Sequence, residues 1–127
     1  MKLACIDIGL KRIGFAICLQ KDIVTPIPAI LRKNRNQAAK DVLKTLEEWE
    51  IDKLIVGYPS ASEEMQRRIK HFVNLLDLDI EYEFQEENMS SIEAEDLMKG
   101  EIKYKRDGRV DSLAAKIILE RYLVSQS

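Results

Sequence analysis

The sequence predicts an α/β fold: a five-stranded mixed sheet in the order 3-2-1-4-5, flanked by helices on both faces. Three apolar, strand-like segments follow one another with short connections at the start of the chain, which is typical of an antiparallel meander. Two further strands alternate with helical segments, which favours right-handed crossovers and parallel pairing. The length of 127 residues fits one domain, predicted to span residues 1–127.

The first three strands are predicted at residues 2–8, 13–19 and 23–31. Pro26 and Pro28 lack the N–H groups that a strand donates to its neighbours, so the third strand is expected at an edge of the sheet. Residues 54–57 form an unbroken apolar run, as in a strand covered on both faces. Residues 80–85 alternate strictly between apolar and polar side chains, which predicts a half-exposed strand near the other edge.

Four helices are predicted between and after the later strands. The first, residues 36–50, carries apolar side chains at helical spacing, and Trp49 is expected in the stripe that faces the core. A Ser followed three residues later by a Glu predicts a capping box at the start of the second helix and of the third. These pairs are Ser60 with Glu63 and Ser90 with Glu93. The last helix, residues 110–123, is rich in Leu, Ala and Ile.

Composition and charge indicate an ordinary globular protein rather than a membrane or secreted one. The apolar fraction is 46% and the charged fraction 33%, and the sequence offers neither a membrane span nor a secretory signal. Cys5 and Cys18 both fall in predicted central strands, as expected of buried thiols in a cytoplasmic protein. The net charge of −2 argues against strong nucleic-acid binding by the whole surface, but both ends of the chain are basic and the middle is acidic. A local basic face and an ordinary solvated surface both remain open.

Carboxylates are expected to meet at the rim where the central strands end. Asp7 ends the first strand, Glu86 and Glu87 follow the fifth, and Asp111 begins the last helix. Carboxylates placed together repel one another unless a cation lies between them, and all-oxygen ligands favour Mg²⁺ or Mn²⁺. Such ions promote hydrolysis of phosphodiesters.

Each of these acids also has a simpler interpretation. Asp7 can cap the turn before Gly9, and Asp111 can be a negative charge that complements the helix dipole. Glu86 and Glu87 can merely continue the acidic face of the fifth strand.

Two basic segments are candidate phosphate contacts. Lys11 and Arg12 lie beside Asp7, in the turn between the first two strands. A second segment precedes Asp111 and has Tyr104 among its cations, a combination suited to single strands or junctions. Its basic residues are Lys103, Lys105, Arg106 and Arg109. The alternative for both segments is solvated surface charge.

Other cations are interpreted as surface charge. Arg32, Lys33 and Arg35 are expected in a solvated turn, and Arg67, Arg68 and Lys70 on the exposed side of the second helix. His71 is expected to be a partly exposed structural residue.

The residues that carry these features resemble a known family along the whole chain. Residues 7–16, Asp-Ile-Gly-Leu-Lys-Arg-Ile-Gly-Phe-Ala, closely resemble the opening motif of the bacterial YqgF family. Residues 55–59 are similar to the family's Val-Gly-Leu-Pro strand end, and residues 86–91 lie where the family has Asp-Glu-Arg-Leu-Thr-Thr. Residues 110–115, Val-Asp-Ser-Leu-Ala-Ala, resemble its final motif. The family comprises Holliday junction resolvase-like proteins that are also described as nucleases maturing the small-subunit ribosomal RNA precursor.

This resemblance implies an RNase H-like fold and a metal-dependent nuclease. Its catalytic acids, which would also bind Mg²⁺ or Mn²⁺, correspond to Asp7, Glu87 and Asp111. The expected substrate is precursor ribosomal RNA in ribosome biogenesis, with branched DNA as the alternative. The double acid at 86–87 leaves Glu86 as the other candidate for the second ligand.

The chain also departs from the family pattern. The family's Arg after the catalytic Glu is Asn88, its loop after the Gly-Leu-Pro strand is shortened to Ser60-Ala61-Ser62, and the Ser-Asp ending its second strand is Cys18-Leu19. Loss of the Arg removes a cation directed at phosphate. A non-catalytic RNA-binding assembly factor is therefore a further alternative. A monomer or a weak homodimer is expected, because Tyr82 and Phe84 lie near a sheet edge.

Overall fold

The five strands form one mixed sheet in the predicted order, β3-β2-β1-β4-β5, in a computed structural model that describes residues 1–86 and 108–126. The strands are β1 Leu3–Ile8, β2 Arg12–Gln20, β3 Ile23–Leu31, β4 Lys53–Tyr58 and β5 Glu81–Glu86. The helices within the described ranges are α1 Arg35–Glu48, α2 Glu63–Leu76 and α3 Gly108–Ser125. β1 pairs antiparallel with β2 and parallel with β4, so it is the strand at which the two halves of the sheet meet. The predicted third helix at Ser90 and Glu93 lies outside the described residues.

Alternate side chains of the central strands enter different apolar layers. Ile6, Ile13 and Phe15 pack in a cluster with buried side chains of α1 and α2. Their neighbours Cys5 and Ala16 pack in a second cluster with buried side chains of α3. Because successive strand residues point to opposite faces, α1 and α2 cover one face of the sheet and α3 covers the other. The prediction of helices on both faces is confirmed.

The two edge strands of the sheet are β3, which contains two prolines, and β5, which exposes an aromatic side chain. Pro26 and Pro28 lie in β3, where the missing N–H groups cost no pairing on the outer side. β5 forms the other edge and leaves Tyr82 42% exposed. Both edge assignments agree with the sequence prediction. Within the described residues, no helix has the length and apolar character needed to cross a membrane.

Helix α1 begins with a capping box that the sequence analysis did not predict. The Asn34 side chain accepts a hydrogen bond from the backbone N–H of Gln37, whose side chain accepts one from Asn34 in return. The prediction that Trp49 lies in the core stripe was wrong: Trp49 is the C-cap residue and is 38% exposed. The core side of α1 ends one turn earlier, at Leu46.

Helix α2 is capped by Ser62 rather than by Ser60. The Ser62 hydroxyl accepts a hydrogen bond from the backbone N–H of Met65 at 3.2 Å. Ser60 lies outside the helix, and its hydroxyl donates to Glu86 Oε1 at 2.8 Å. Ser60 therefore joins the ends of β4 and β5, while Ser62 of the same loop starts the helix.

A cluster of polar side chains fastens α3 to the acidic edge of the sheet. Lys53 Nζ lies 2.9 Å from the Tyr122 hydroxyl, 2.9 Å from Glu83 Oε2 and 3.0 Å from Glu81 Oε2. The Tyr122 hydroxyl in turn donates to Glu83 Oε2 at 3.2 Å. Strands β4 and β5 and the later turns of α3 are thus connected through one lysine.

Candidate functional site

Asp7 occupies the carboxyl end of the central strand, as predicted. It is the next-to-last residue of β1, it is half-buried, and its cross-strand partner on β2 is Gly14. Leu3 and Cys5, which precede it at strand spacing, pack in the α3 layer. Because strand side chains alternate between faces, the Asp7 carboxylate belongs to the face that α3 covers.

Gly14 allows the first turn of α3 to approach this face. A Cβ added to Gly14 would lie only 1.9 Å from the backbone oxygen of Asp111, a distance no side chain can occupy. The backbone of Asp111 therefore contacts β2 at the position paired with Asp7. Since cross-strand partners have Cα atoms roughly 5 Å apart, Asp7 and the first turn of α3 are neighbours at one corner of the sheet.

An ion pair fixes the Asp111 carboxylate at that corner. Arg12 Nε donates to Asp111 Oδ2 at 2.9 Å, and the two side chains are 27% and 16% exposed. Arg12 precedes Gly14 by two residues and therefore lies on the same face of β2. Arg12 was predicted as a phosphate contact; the structure gives its guanidinium a carboxylate partner, with donors to spare for an anion.

Ser112 holds the same turn of α3 from the other side. Its buried hydroxyl accepts a hydrogen bond from the Phe15 N–H at 3.2 Å and donates to the Ile27 carbonyl at 2.6 Å. Phe15 and Ile27 are paired residues of β2 and β3, next to a register shift in the ladder. The hydroxyl thus bridges the two strands where their pairing is irregular, and it fixes the residue that follows Asp111.

The turn between β1 and β2 is closed by backbone hydrogen bonds. The Gly9 N–H donates to the Arg12 carbonyl at 2.9 Å, and a Cβ on Gly9 would lie 2.8 Å from that oxygen. Arg32, the residue after β3, makes two hydrogen bonds to this turn. Its side chain donates to the Gly9 carbonyl at 2.6 Å, and its backbone N–H donates to the Lys11 carbonyl at 2.8 Å. Lys11 itself is exposed at the rim, as expected of a phosphate contact.

The second acid is only partly within the described structure. Glu86 ends β5 and accepts hydrogen bonds from Ser60, whereas Glu87 lies outside the described residues. Residues 1–86 and 108–126 contain no group of three His, Cys, Asp or Glu side chains suited to hold a metal ion. Asp7, Glu86 and Asp111 therefore do not form a three-carboxylate set among the described residues, and the choice between Glu86 and Glu87 as the second ligand stays a prediction.

The predicted basic segment before α3 also lies only partly within the described residues. Lys103, Lys105 and Arg106 lie outside the described residues. Arg109 lies in the first turn of α3 and is exposed. What the structure brings together is Asp7, Asp111 and Arg12.

Two functional positions escaped the sequence analysis. Gly14 interrupts an apolar strand, which is a sign of close backbone approach, and Ser112 precedes a run of apolar residues, 113–115, in the last helix. Both features are visible in the sequence, but the role of each residue becomes clear only from the contact between α3 and β2.

The donor chemistry of the corner fits a hard divalent cation. Asp7 and Asp111 supply carboxylate oxygens, the ligands that Mg²⁺ and Mn²⁺ prefer. Both carboxylates are partly shielded from solvent, so a bound cation would offset their repulsion.

Comparisons with known proteins agree with this architecture. The family model RuvX, described as Holliday junction resolvase, matches residues 1–125. A protein of Sulfurovum sp. (strain NBC37-1) is 64% identical over 126 residues, with 97% of this chain and 98% of that protein covered. A protein of Sulfurimonas denitrificans is 58% identical over 126 residues, with 97% of each covered. Both carry the name "Putative pre-16S rRNA nuclease".

Solved structures with the same fold include a viral resolvase and a bacterial RuvC protein. The fowlpox virus resolvase in complex with Holliday junction DNA superposes with a TM-score of 0.61 at 16% identity, and 99% of each chain is covered. Thermus thermophilus RuvC gives a TM-score of 0.51 at 8% identity, with coverage of 99% and 96%. At such identities the likeness concerns the fold alone, and it confirms the RNase H-like architecture.

Proposed function

The chain belongs to the RuvX family, and from that membership we propose that it is a nuclease that hydrolyses phosphodiester bonds in the precursor of 16S ribosomal RNA. The observation that carries the proposal is the corner at which Gly14 brings the first turn of α3 onto the strand pair that holds Asp7. The names of the close relatives favour ribosomal RNA as the substrate. Processing of that RNA would take place in the cytoplasm, with the protein acting as a monomer or a weak homodimer.

Asp7, Glu87 and Asp111 are the proposed ligands of Mg²⁺ or Mn²⁺. A divalent ion at this corner would supply the positive charge that activates a water molecule and stabilises the leaving oxygen. In the hydrolysis, the water oxygen bonds to phosphorus, the bond from phosphorus to the leaving oxygen breaks, and a proton passes to that oxygen.

The other residues of the corner position the reacting groups. Arg12 holds one oxygen of Asp111 and thereby orients the carboxylate toward the rim. Exposed Lys11 lies in the turn after Asp7, where an ammonium can attract the phosphate. Lys103, Lys105, Arg106 and Arg109 are the proposed further contacts to the nucleic acid.

The test is cleavage of labelled precursor 16S RNA by the wild-type protein and by two variants, with Mg²⁺ or Mn²⁺. Asp7→Asn removes a proposed ligand charge at constant size and should reduce cleavage by about a thousandfold or more. Glu86→Gln makes a matched change at an acid that already contacts Ser60 and should retain activity. Unchanged cleavage by Asp7→Asn would exclude the proposed site.

A four-way DNA junction, offered in parallel, separates the two substrate classes. The family description and the fowlpox virus complex make it the natural second substrate. Cutting of the junction but not of the RNA would assign the chain to junction resolution. Salt-sensitive RNA binding without cleavage under either metal would instead favour a non-catalytic assembly factor.

A further inference from the structure

A groove on the opposite face of the sheet from α3 collects arginines from distant parts of the sequence. Arg32 follows β3, Arg35 begins α1, and Arg67 and Arg68 lie on α2. Together they line a groove of about 480 Å³, which we call the arginine groove. Arg35, Arg67 and Arg68 are exposed, as expected from the sequence, and the fold brings them to one site with Arg32.

The charge of the arginine groove is nearly uncompensated. Among the described residues, no Asp or Glu lines the groove, and only Arg68 of the four arginines has a carboxylate partner, the exposed Glu64 at 3.0 Å. Burial lowers the pKa of Arg32 from its ordinary value, and the neighbouring charges of Arg35 and Arg68 lower it further. Cations held close together in this way create a positive potential that an anion would relieve.

Interactions with the fold hold two of the arginines in place before any ligand arrives. Arg32 donates to the Gly9 carbonyl, and its guanidinium lies 5.3 Å from the centre of the buried Phe72 ring. Arg35 donates to His71 Nε2 at 2.6 Å, which joins the start of α1 to α2. A pre-arranged guanidinium loses less freedom on binding phosphate than a free side chain would.

The arginine groove begins beside the candidate site. Ile8 lines the groove and directly follows Asp7, and the turn after it contributes Leu10, which is 65% exposed. Arg32 holds the Gly9 carbonyl of that turn. A strand that crosses the rim over this turn therefore passes from the Asp7 corner on one face to the arginines on the other.

We propose that the arginine groove binds the sugar-phosphate backbone of the substrate strand on one side of the cut. This inference rests on the proposed nuclease function. Guanidinium groups match phosphate oxygens in pairs, while Leu10 and the aliphatic surface around it can contact a base. The groove thus serves as a second binding region, which binds a flanking strand independently of its sequence.

The test is a binding measurement with fluorescently labelled single-stranded RNA of increasing length. All proteins carry Asp7→Asn, so the RNA stays intact. The groove variant adds Arg35→Gln and Arg67→Gln, and the matched control adds Lys40→Gln and Lys44→Gln, which remove the same charge from exposed positions elsewhere on α1. Arg67→Gln alone provides a milder variant, because it leaves the hydrogen bond between Arg35 and His71 in place.

The groove variant should bind long RNA about tenfold or more weakly than the control, while both bind the shortest RNA equally. The groove variant should also depend less on salt. The slope of log affinity against log salt concentration should shrink by about 0.7 for each phosphate of a single strand that the protein no longer neutralises. Equal affinities and slopes for the groove variant and the control at every length would overturn the proposal. Binding of polyglutamate as tight as that of RNA would also overturn it, since the groove would then recognise acidic chains in general.

A separate cleavage assay, with Asp7 intact, keeps the two proposals apart. If the wild-type protein cleaves but Arg35→Gln/Arg67→Gln cuts long RNA as well as the control does, the groove inference fails and the nuclease stands. If the RNA is bound through the groove but never cut, the groove remains an RNA-binding region, and both the nuclease function and the placement of the groove beside a cut fail.

Discussion

Arg12 and Asp111 form an ion pair between β2 and α3, with Arg12 Nε 2.9 Å from Asp111 Oδ2. The pair is better shielded from solvent than the exposed pair of Arg68 and Glu64 on α2, whose side chains are 56% and 69% exposed. Shielding strengthens an ion pair, provided that its geometry is good.

A double-mutant cycle with Arg12→Met and Asp111→Ala should therefore give a coupling energy of about 1 kcal/mol in the free energy of unfolding. The cycle on Arg68 and Glu64 is the control and should give only about 0.3–0.5 kcal/mol, the usual range for an exposed helical pair. Urea denaturation measures both energies. A coupling at Arg12 no larger than the control would show that the pair does not fix Asp111.

Replacing Gly14 by Ala should be severely destabilising. The new Cβ would lie 1.9 Å from the Asp111 backbone oxygen, so α3 or β2 must move, and we expect a loss of about 3 kcal/mol or more in the free energy of unfolding. Gly9→Ala meets the Arg12 carbonyl at 2.8 Å and needs a smaller shift, so it should cost less. Chemical denaturation of both variants checks the order, and equal losses would contradict the close approach at Gly14.

Ser112→Ala should cost about 1–3 kcal/mol, because it leaves the Phe15 N–H and the Ile27 carbonyl without their hydroxyl partner. Ser60→Ala is the matched change at an exposed hydroxyl and should alter stability by less than about 0.5 kcal/mol. Thermal and urea unfolding distinguish the two. A Ser112 variant as stable as the Ser60 variant would mean that the hydroxyl does not join β2 to β3.

The Lys53 cluster predicts a stability difference that depends on pH. The hydrogen bond from Lys53 lowers the pKa of Glu83 below its ordinary value of 4.5. Hydrogen bonds with Tyr122, then with Glu83 and Glu81, raise the pKa of Lys53 above 10.5. The Glu83 contribution is therefore present above about pH 4.5 and is lost as the pH falls through the lowered pKa; the Lys53 contribution is present below about pH 10.5 and is lost as the pH rises through the raised pKa.

Glu83→Gln should accordingly be less stable than the wild-type protein at neutral pH, and the gap in melting temperature should close in acid. Melting curves from neutral pH down to about pH 3 test this, with Glu120→Gln as an exposed carboxylate for comparison. A gap that stayed constant through the acid range would exclude a lowered pKa at Glu83.

The strand order could be predicted because it follows from local pattern and connection length. β1 to β3 are joined by turns too short for a crossover, and β4 and β5 each follow a helix, so the pairing of neighbours is nearly forced. The first residue of a helix is harder to predict, because neighbouring side chains compete to cap it. Ser60 and Ser62 are both plausible caps, and only the position of Glu86 shows why the first is not used.

The candidate site could be predicted in part. Asp7 and Asp111 carry visible motifs, and their shared corner follows from the topology. The arginine groove could not be anticipated, because Arg32, Arg35 and Arg67 each lie in a segment that resembles ordinary surface. Only the packing of α1 and α2 shows that these segments share a face.

The ion pair between Arg12 and Asp111 spans 99 positions of the chain. During synthesis, the meander of β1 to β3 leaves the ribosome before α3, so the surface around Gly14 stays bare until α3 has emerged. The corner that holds Asp7 is consequently incomplete in every nascent chain from which Ser112 has not yet emerged. The candidate site is therefore a late product of folding, because its two sides meet only when α3 packs against β2.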